Sequence, residues 1–391
     1  MDAPRTFVIA LIAFLTLIDL FAAQPILPML AAHYGVAAGQ IGAAANASTL
    51  GMAAASLAIG AWGARLGHRS TVTAALALLA IPTAGLAFAP DLTHFAVLRV
   101  IQGVCMATAF SLTMANLGET FRCSGTAVAL GAYVTGNVGA NLFGRLLSAT
   151  VASHLGLQGN FFVMAALNLA GACLVFVTMR GMRAKDEARG MAALAALRAH
   201  LTNPRLLAAN SIGFCILFAF IGVYTYVNFV LSRPPIRLSM MALGAVYFVF
   251  LPALLTTPRA AWLANRLGMA RAMAACLVVA LVGLALMLSQ TLVVLLAGMV
   301  LVACGTFLAQ ALATGFVGRE AAFARSTASG LYLAAYFAGG LAGSAVVGRV
   351  FDSLGWNAAI AVVALDLAAA LILSLGLRAA PAAGLPFPAR I

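Results

Sequence analysis

Apolar residues run along this chain in long stretches, separated by short polar or Gly/Pro-rich breaks. The stretches cover approximately residues 7–31, 40–62, 71–89, 93–117, 125–153, 160–180, 206–231, 239–261, 270–289, 292–317, 326–350 and 357–377. A helix needs about 20 apolar residues to cross a bilayer, and each stretch is of that order. Barrel strands would instead show segments of roughly ten residues with alternating hydrophobicity. The pattern therefore predicts an all-α polytopic membrane protein with twelve transmembrane helices. The first stretch holds Asp19, Pro25 and Pro28. It is too long and too broken for the apolar region of a signal peptide, and reads as an uncleaved first span.

Composition agrees with the pattern. Of 391 residues, 64% are hydrophobic and 8% charged, and the mean hydropathy is +1.07. Soluble domains carry about 25% charged residues, so the solvent for this surface is lipid. The net charge of +13 would suggest nucleic acid in a soluble protein, but the basic residues fall in alternate loops. With the N-terminus inside, 17 of the 22 basic residues lie in inner segments and the outer loops hold only Arg233 and Arg237. The positive-inside rule then explains the charge without nucleic acid and puts both termini in the cytoplasm. Arginine outnumbers lysine 21 to 1, which hints at a GC-rich source and a bacterial inner membrane.

The six cysteines, Cys105, Cys123, Cys173, Cys215, Cys276 and Cys304, have no metal-ligand spacing and read as small packing residues. No Walker, dinucleotide, zinc-protease or nucleophile-elbow motif is present. The expectation is no cofactor, no metal and no enzymatic activity. Short loops without a sizeable soluble domain also argue against a signalling receptor.

The chain repeats itself about 200 residues apart. Ala64–Gly67 (ARLG) after span two matches Asn265–Gly268 (NRLG) after span eight. Gly136–Arg145 (GNVGANLFGR) in span five has the form of Gly340–Arg349 (GLAGSAVVGR) in span eleven, and Leu167–Ala172 in span six matches Leu365–Ala370 in span twelve. Three matches in order indicate duplication into two six-helix bundles. The expected boundaries are residues 1–181 and 206–391, with a cytoplasmic central loop at 182–205. Parallel repeats of this kind place a substrate site near the bilayer midplane and alternate access by rocking.

These motifs resemble the major facilitator superfamily, and within it the twelve-span drug:proton antiporter group. Gly60–Arg69 is similar to the family's loop signature between spans two and three, and Leu98–Ala107 to its span-four motif. The stretch around Asp19, Pro25 and Pro28 is similar to its span-one motif, and the span-five segment to its glycine-rich antiporter motif. Two positions differ from the pattern. Ala64 (Asn265 in the second half) stands where the loop motif has an acid, and Asn137 stands where the antiporter motif has proline.

The resemblance implies a proton-coupled secondary transporter that exports small amphipathic or aromatic compounds by antiport. A proton-linked uptake permease for an organic acid or other metabolite is the alternative. It implies a monomer in a lipid bilayer whose partners are a small-molecule substrate and protons. In this family spans one and four line the central cavity, which makes Arg99 the expected partner of Asp19. An aspartate at the centre of a membrane helix costs roughly 2.5–3.5 kcal/mol, and a cation and water offset that cost. A carboxylate between a desolvating pocket and a cation is under two opposed pressures, and a conformational change between them moves a proton. A static buried pair that only fixes packing is the other reading.

Polar and aromatic residues at helical spacing are the expected cavity wall: Asn46, Met106, Phe110, Tyr133, Asn137, Asn141, Phe214, Phe218, Asn228, Phe307, Gln310, Tyr332 and Tyr336. Helix packing is the competing explanation for each aromatic. Gating is expected of Gly60, Arg65, Gly67, Arg69, Arg266, Gly136 and Gly340, with the glycines on surfaces that slide during rocking. Arg145 and Arg349 are expected near the outer ends of spans five and eleven, snorkelling or in an outer-gate ion pair. Asp366 reads as a polar contact to a neighbouring helix, with a proton role left open.

Overall fold

The protein, seen in a computed structural model, is described over residues 3–63, 66–120, 124–179, 193–321 and 323–377. The expected gate residue Arg65 and the first part of the central loop lie outside these. The helices are α1 (Ala3–Ala22), α2 (Leu27–Tyr34), α3 (Ala38–Ala45), α4 (Ser48–Trp62), α5 (His68–Gly85), α6 (Leu92–Thr120), α7 (Ser124–Thr178), α8 (Ala193–Thr202), α9 (Pro204–Ser232), α10 (Met240–Val246), α11 (Leu251–Thr256), α12 (Ala260–Leu267), α13 (Met269–Leu286), α14 (Leu292–Glu320) and α15 (Arg325–Ser374).

Ten helical stretches among the described residues are long and apolar enough to cross a membrane. Two of them, α7 and α15, run through a corner at Gly156 (φ 71°, ψ −175°) and Gly355 (φ 82°, ψ −172°) and so supply two spans each. That backbone region is open to glycine and strained for any other residue. The result is twelve spans, as the apolar pattern predicts. Span two is α3 plus α4, span eight is α10 to α12, and each six-span half is one bundle. Large apolar side chains such as Phe7, Ile81, Val177, Val293 and Leu365 face outward, the surface a bilayer requires.

The loop ends show why the spans stop where they do. Asn203 caps α9, accepting from the amides of Arg205 (3.0 Å) and Leu206 (3.3 Å), with Pro204 in the first turn. Helix α8 is the described part of the expected central loop. At the end opposite the glycine corners, Arg69 donates to the Phe176 carbonyl (2.5 Å) and lies over the Phe176 ring. It closes the C-terminus of span six, where a cation is favoured. Arg266 is exposed and stacks on Trp262.

Small residues set the crossings within each half. Gly136 sits against the Ala10 main chain of span one, Gly339 against the Phe214 main chain of span seven, and Gly340 against Leu217 and Ile221. Gly136 and Gly340 thus lie at helix contacts inside their own bundles, span five on span one and span eleven on span seven. The halves approach closely at spans five and eight, where Gly244 meets Ala149, and along spans two and eleven. Gly60 meets Gly330 with no room for a Cβ on either, and Thr327 Oγ1 donates to the Gly60 carbonyl (3.0 Å). At the corner end, Gly39 meets Gly348, and its N–H donates to Asp352 (2.9 Å). Span two therefore lies against span eleven from end to end.

Candidate functional site

Two polar centres occur in the described interior. The first surrounds Asp19, which is buried inside the first bundle and faces neither lipid nor the other half. Its Oδ2 accepts from Thr83 Oγ1 of span three (2.9 Å) and Asn168 Nδ2 of span six (2.7 Å). Gln102 donates to the Thr83 hydroxyl (2.6 Å) and accepts from Arg99 (2.8 Å). Arg99 Nη1 donates to the main-chain carbonyl of Asp19 (3.0 Å), not to its carboxylate, and the two side chains form no ion pair within 4.0 Å. Arg99 thus holds the main chain of Asp19 directly, and its charge acts on the carboxylate only across a longer distance. The burial of the carboxyl is offset mainly by two hydrogen bonds, each worth about 1.5–3 kcal/mol when made to a charged group.

The same arginine reaches span two. Helix α3 ends and α4 begins around Asn46, which frees the Ala45 carbonyl to accept from Arg99 Nε (2.6 Å), and Ser48 Oγ accepts from Nη2 (3.2 Å). From the same break, Asn46 Nδ2 donates to Thr225 of span seven, across to the second half (3.0 Å). A continuous set of contacts therefore runs from Asp19 through Arg99 and the helix break to the other bundle. Beside the carboxyl is a cavity of about 10 Å³ lined by Asp19, Thr83, Arg99, Gln102 and Asn160 among others, near the size that holds one water. Both amide atoms of Asn160 lack a protein partner.

The second centre is Arg145, which the sequence places at a span end. It stands eleven residues before the Gly156 corner, or about 16 Å of helix rise, in a hydrocarbon core about 30 Å thick. Its sequence match Arg349 is only six residues from Gly355 and is exposed. The two halves are out of step here by five residues, and that extra length sinks Arg145 towards the midplane, where it is fully buried. It does not snorkel, and no described carboxylate lies within salt-bridge distance. One Nη donates to Gln24 Oε1 of the first half. Its guanidinium carbon lies 4.2 Å from the Tyr247 ring centroid, 4.8 Å from Phe250, 5.3 Å from Phe21, 5.6 Å from Tyr224 and 5.8 Å from Phe220. Nε and Nη1 have no partner, nor does Gln24 Nε2.

The other expected cavity residues divide. Asn141, one turn before Arg145, is buried with both amide atoms unpartnered. Asn228 accepts from Tyr247 (2.7 Å), and Phe307 packs on Phe220 and Phe250, so both support the aromatic wall around Arg145. Tyr133 donates to the Phe110 carbonyl (3.3 Å) and packs on its ring, close to the fully buried Met106, inside the first bundle. Asn137 is half-buried, as is Gln310. Phe214 stacks on Phe218 and lines a crevice of about 260 Å³ formed with Leu201, Leu207, Leu331 and Ala335. That crevice belongs to α8, α9 and α15, so Phe214 is not part of a wall between the halves. Tyr332 and Tyr336 stack within the second bundle, and Tyr332 abuts Gly213. Asp366 meets the Cys215 thiol of span seven.

A family model described as Major Facilitator Superfamily matches residues 9–251. The chain belongs to this superfamily and is a multi-pass membrane transporter. It is 28% identical over 355 residues to the inner membrane transport protein YnfM of Escherichia coli (strain K12), covering 90% of this chain and 85% of that protein. It is 23% identical over 372 residues to the uncharacterized MFS-type transporter YybF of Bacillus subtilis (strain 168), covering 94% and 92%. A solved bacterial homolog of the human lysosomal transporter Spinster, inward-facing and unoccupied, shares the fold. Its TM-score is 0.77 at 14% identity, over 98% of this chain and 100% of that one.

Proposed function

We propose that this transporter is proton-coupled and exports small amphipathic or aromatic compounds by antiport across a bacterial inner membrane. Residues 1–181 and 206–391 act as the two rocking units, and both termini are cytoplasmic. The observation that carries the reading is the setting of Asp19. The carboxyl is buried, bonded to the neutral donors Thr83 and Asn168, and free of a locking ion pair. Neutral donors leave the group able to take up and release a proton. Arg99 and the Asn46 break connect the carboxyl's own helix to span seven. A change at Asp19 is thereby felt where the halves meet. The uptake permease for an organic acid is the second reading, and buried Arg145 favours it.

Everted membrane vesicles with an acidic lumen separate the two. Antiport export accumulates an aromatic probe such as ethidium or benzenesulfonate in the lumen. Symport uptake instead empties preloaded vesicles under the same gradient. Probe movement indifferent to the gradient would refute both.

A further inference from the structure

We propose that Arg145 and Gln24 form the subsite for the anionic group of an aromatic organic acid, a carboxylate carried on a ring. The proposal rests on the transporter reading and specifies the class of its substrate. Desolvation and donor geometry carry the argument. A guanidinium has five N–H donors in its plane and needs acceptors there. Around Arg145 the described chain supplies one, Gln24 Oε1, and leaves Nε and Nη1 unmet in a fully buried position. The five surrounding rings attract the cation through their faces, but a ring face does not replace an in-plane acceptor. A buried donor left unmet is destabilising, and more so when it is charged.

The second half could have closed on this cation with an acid. It presents rings instead, and neither tyrosine oxygen accepts from the unmet Nε or Nη1: the Tyr224 hydroxyl is turned to the Met299 carbonyl (2.6 Å) and that of Tyr247 to Asn228 (2.7 Å). Nε and Nη1 of Arg145 and Nε2 of Gln24 are unmet on two side chains that are bonded to each other, with the guanidinium lying over Tyr247 and Phe250 of the second half. Any acceptor oxygen could meet these N–H groups, but only an anion also compensates the buried guanidinium charge, which no described carboxylate pairs. The aromatic wall selects a flat apolar body behind that anion, and disfavours a bare inorganic anion, which gains nothing from the rings. Gln24 and Phe21 come from the first half, and Tyr247 and Phe250 from the second, so the bound acid would be enclosed by both.

Purified protein in detergent tests this with three probes of one shape and three charges: benzoate, benzamide and benzylamine. Binding to the folded state raises Tm by mass action. Saturating benzoate is expected to raise Tm by about 2 °C or more, with no shift from benzamide or benzylamine. Arg145→Met and Gln24→Leu should each abolish or greatly reduce the benzoate shift. The wild-type comparison decides the matter even if Arg145→Met does not fold. Equal shifts from benzamide or benzylamine, a benzoate shift undiminished in folded Arg145→Met, or no shift from any probe would overturn the proposal. The assay uses no proton gradient. Benzoate binding without proton exchange in vesicles would remove the antiport reading and leave the subsite. Proton exchange without anion preference would do the reverse.

Discussion

Substituting Gly330 by valine tests whether spans two and eleven form a closing contact. A Cβ at Gly330 would collide with the Cα of Gly60 and the Ser56 carbonyl, which are main-chain atoms that cannot rotate away. Overpacking of this kind costs about 1–3 kcal/mol. The cost falls only on the conformation in which the two helices touch, so it shifts the closed-to-open ratio by roughly 5- to 150-fold. Gly315 provides the control, since a Cβ there meets only the tip of Arg319 at 3.8 Å. Spin labels on the exposed Ser70 and Ser326, in a background lacking the native cysteines, report the separation of the halves at that end. Gly330→Val should move the distance distribution to longer values and Gly315→Val should leave it in place. An unchanged distribution in Gly330→Val would refute the assignment of this contact to closure.

Four further outcomes follow from the same geometry. Gly156→Ala and Gly355→Ala put a Cβ on a backbone at φ 71° and 82°, and each should lower stability by about 1–3 kcal/mol, read as a lower Tm in detergent. Asn46→Leu removes the donor to Thr225 between the halves, and should reduce transport while leaving Tm within a few degrees of wild type. Asp91, in the loop between spans three and four, accepts from the His94 amide (2.9 Å) and ring (2.8 Å). These bonds hold its carboxyl below the usual carboxylate range. A lowered folded value means that the contribution is present above the unfolded value and is lost as pH falls through the folded one. The Tm difference between wild type and Asp91→Asn should therefore shrink on acidification. A difference that widens would contradict that sign.

The sequence made the fold legible because lipid leaves little choice: apolar length, loop charge and duplicated glycine motifs all act on the same helices. Asp19 and Arg99 were also visible, as charges where charges are costly. Their bonding was not. Thr83 and Asn168 are ordinary polar residues inside apolar runs, and nothing local marks them as meeting Asp19 across three helices. The aromatic wall was hidden for a similar reason. Phe220, Tyr224, Tyr247 and Phe250 sit in continuous apolar sequence, so no polar stripe marks their face, and the stripe of Phe214 and Phe218 points elsewhere. Arg145 was misplaced because the repeat aligned it with Arg349. The five-residue difference before the two corners, readable from the Leu-Gly pairs at 155–156 and 354–355, was the signal that would have put it deep in the membrane.

The central claim is that Asp19 carries the coupled proton, and Asp19→Asn tests it most directly. Asparagine keeps an acceptor oxygen for Thr83 and Asn168 while removing the titrating group, so the fold should persist. In everted vesicles the variant should still exchange labelled for unlabelled probe at equal pH, yet fail to accumulate it against a gradient when the lumen is acid. Accumulation at the wild-type rate would show that the proton travels elsewhere and would contradict the mechanism.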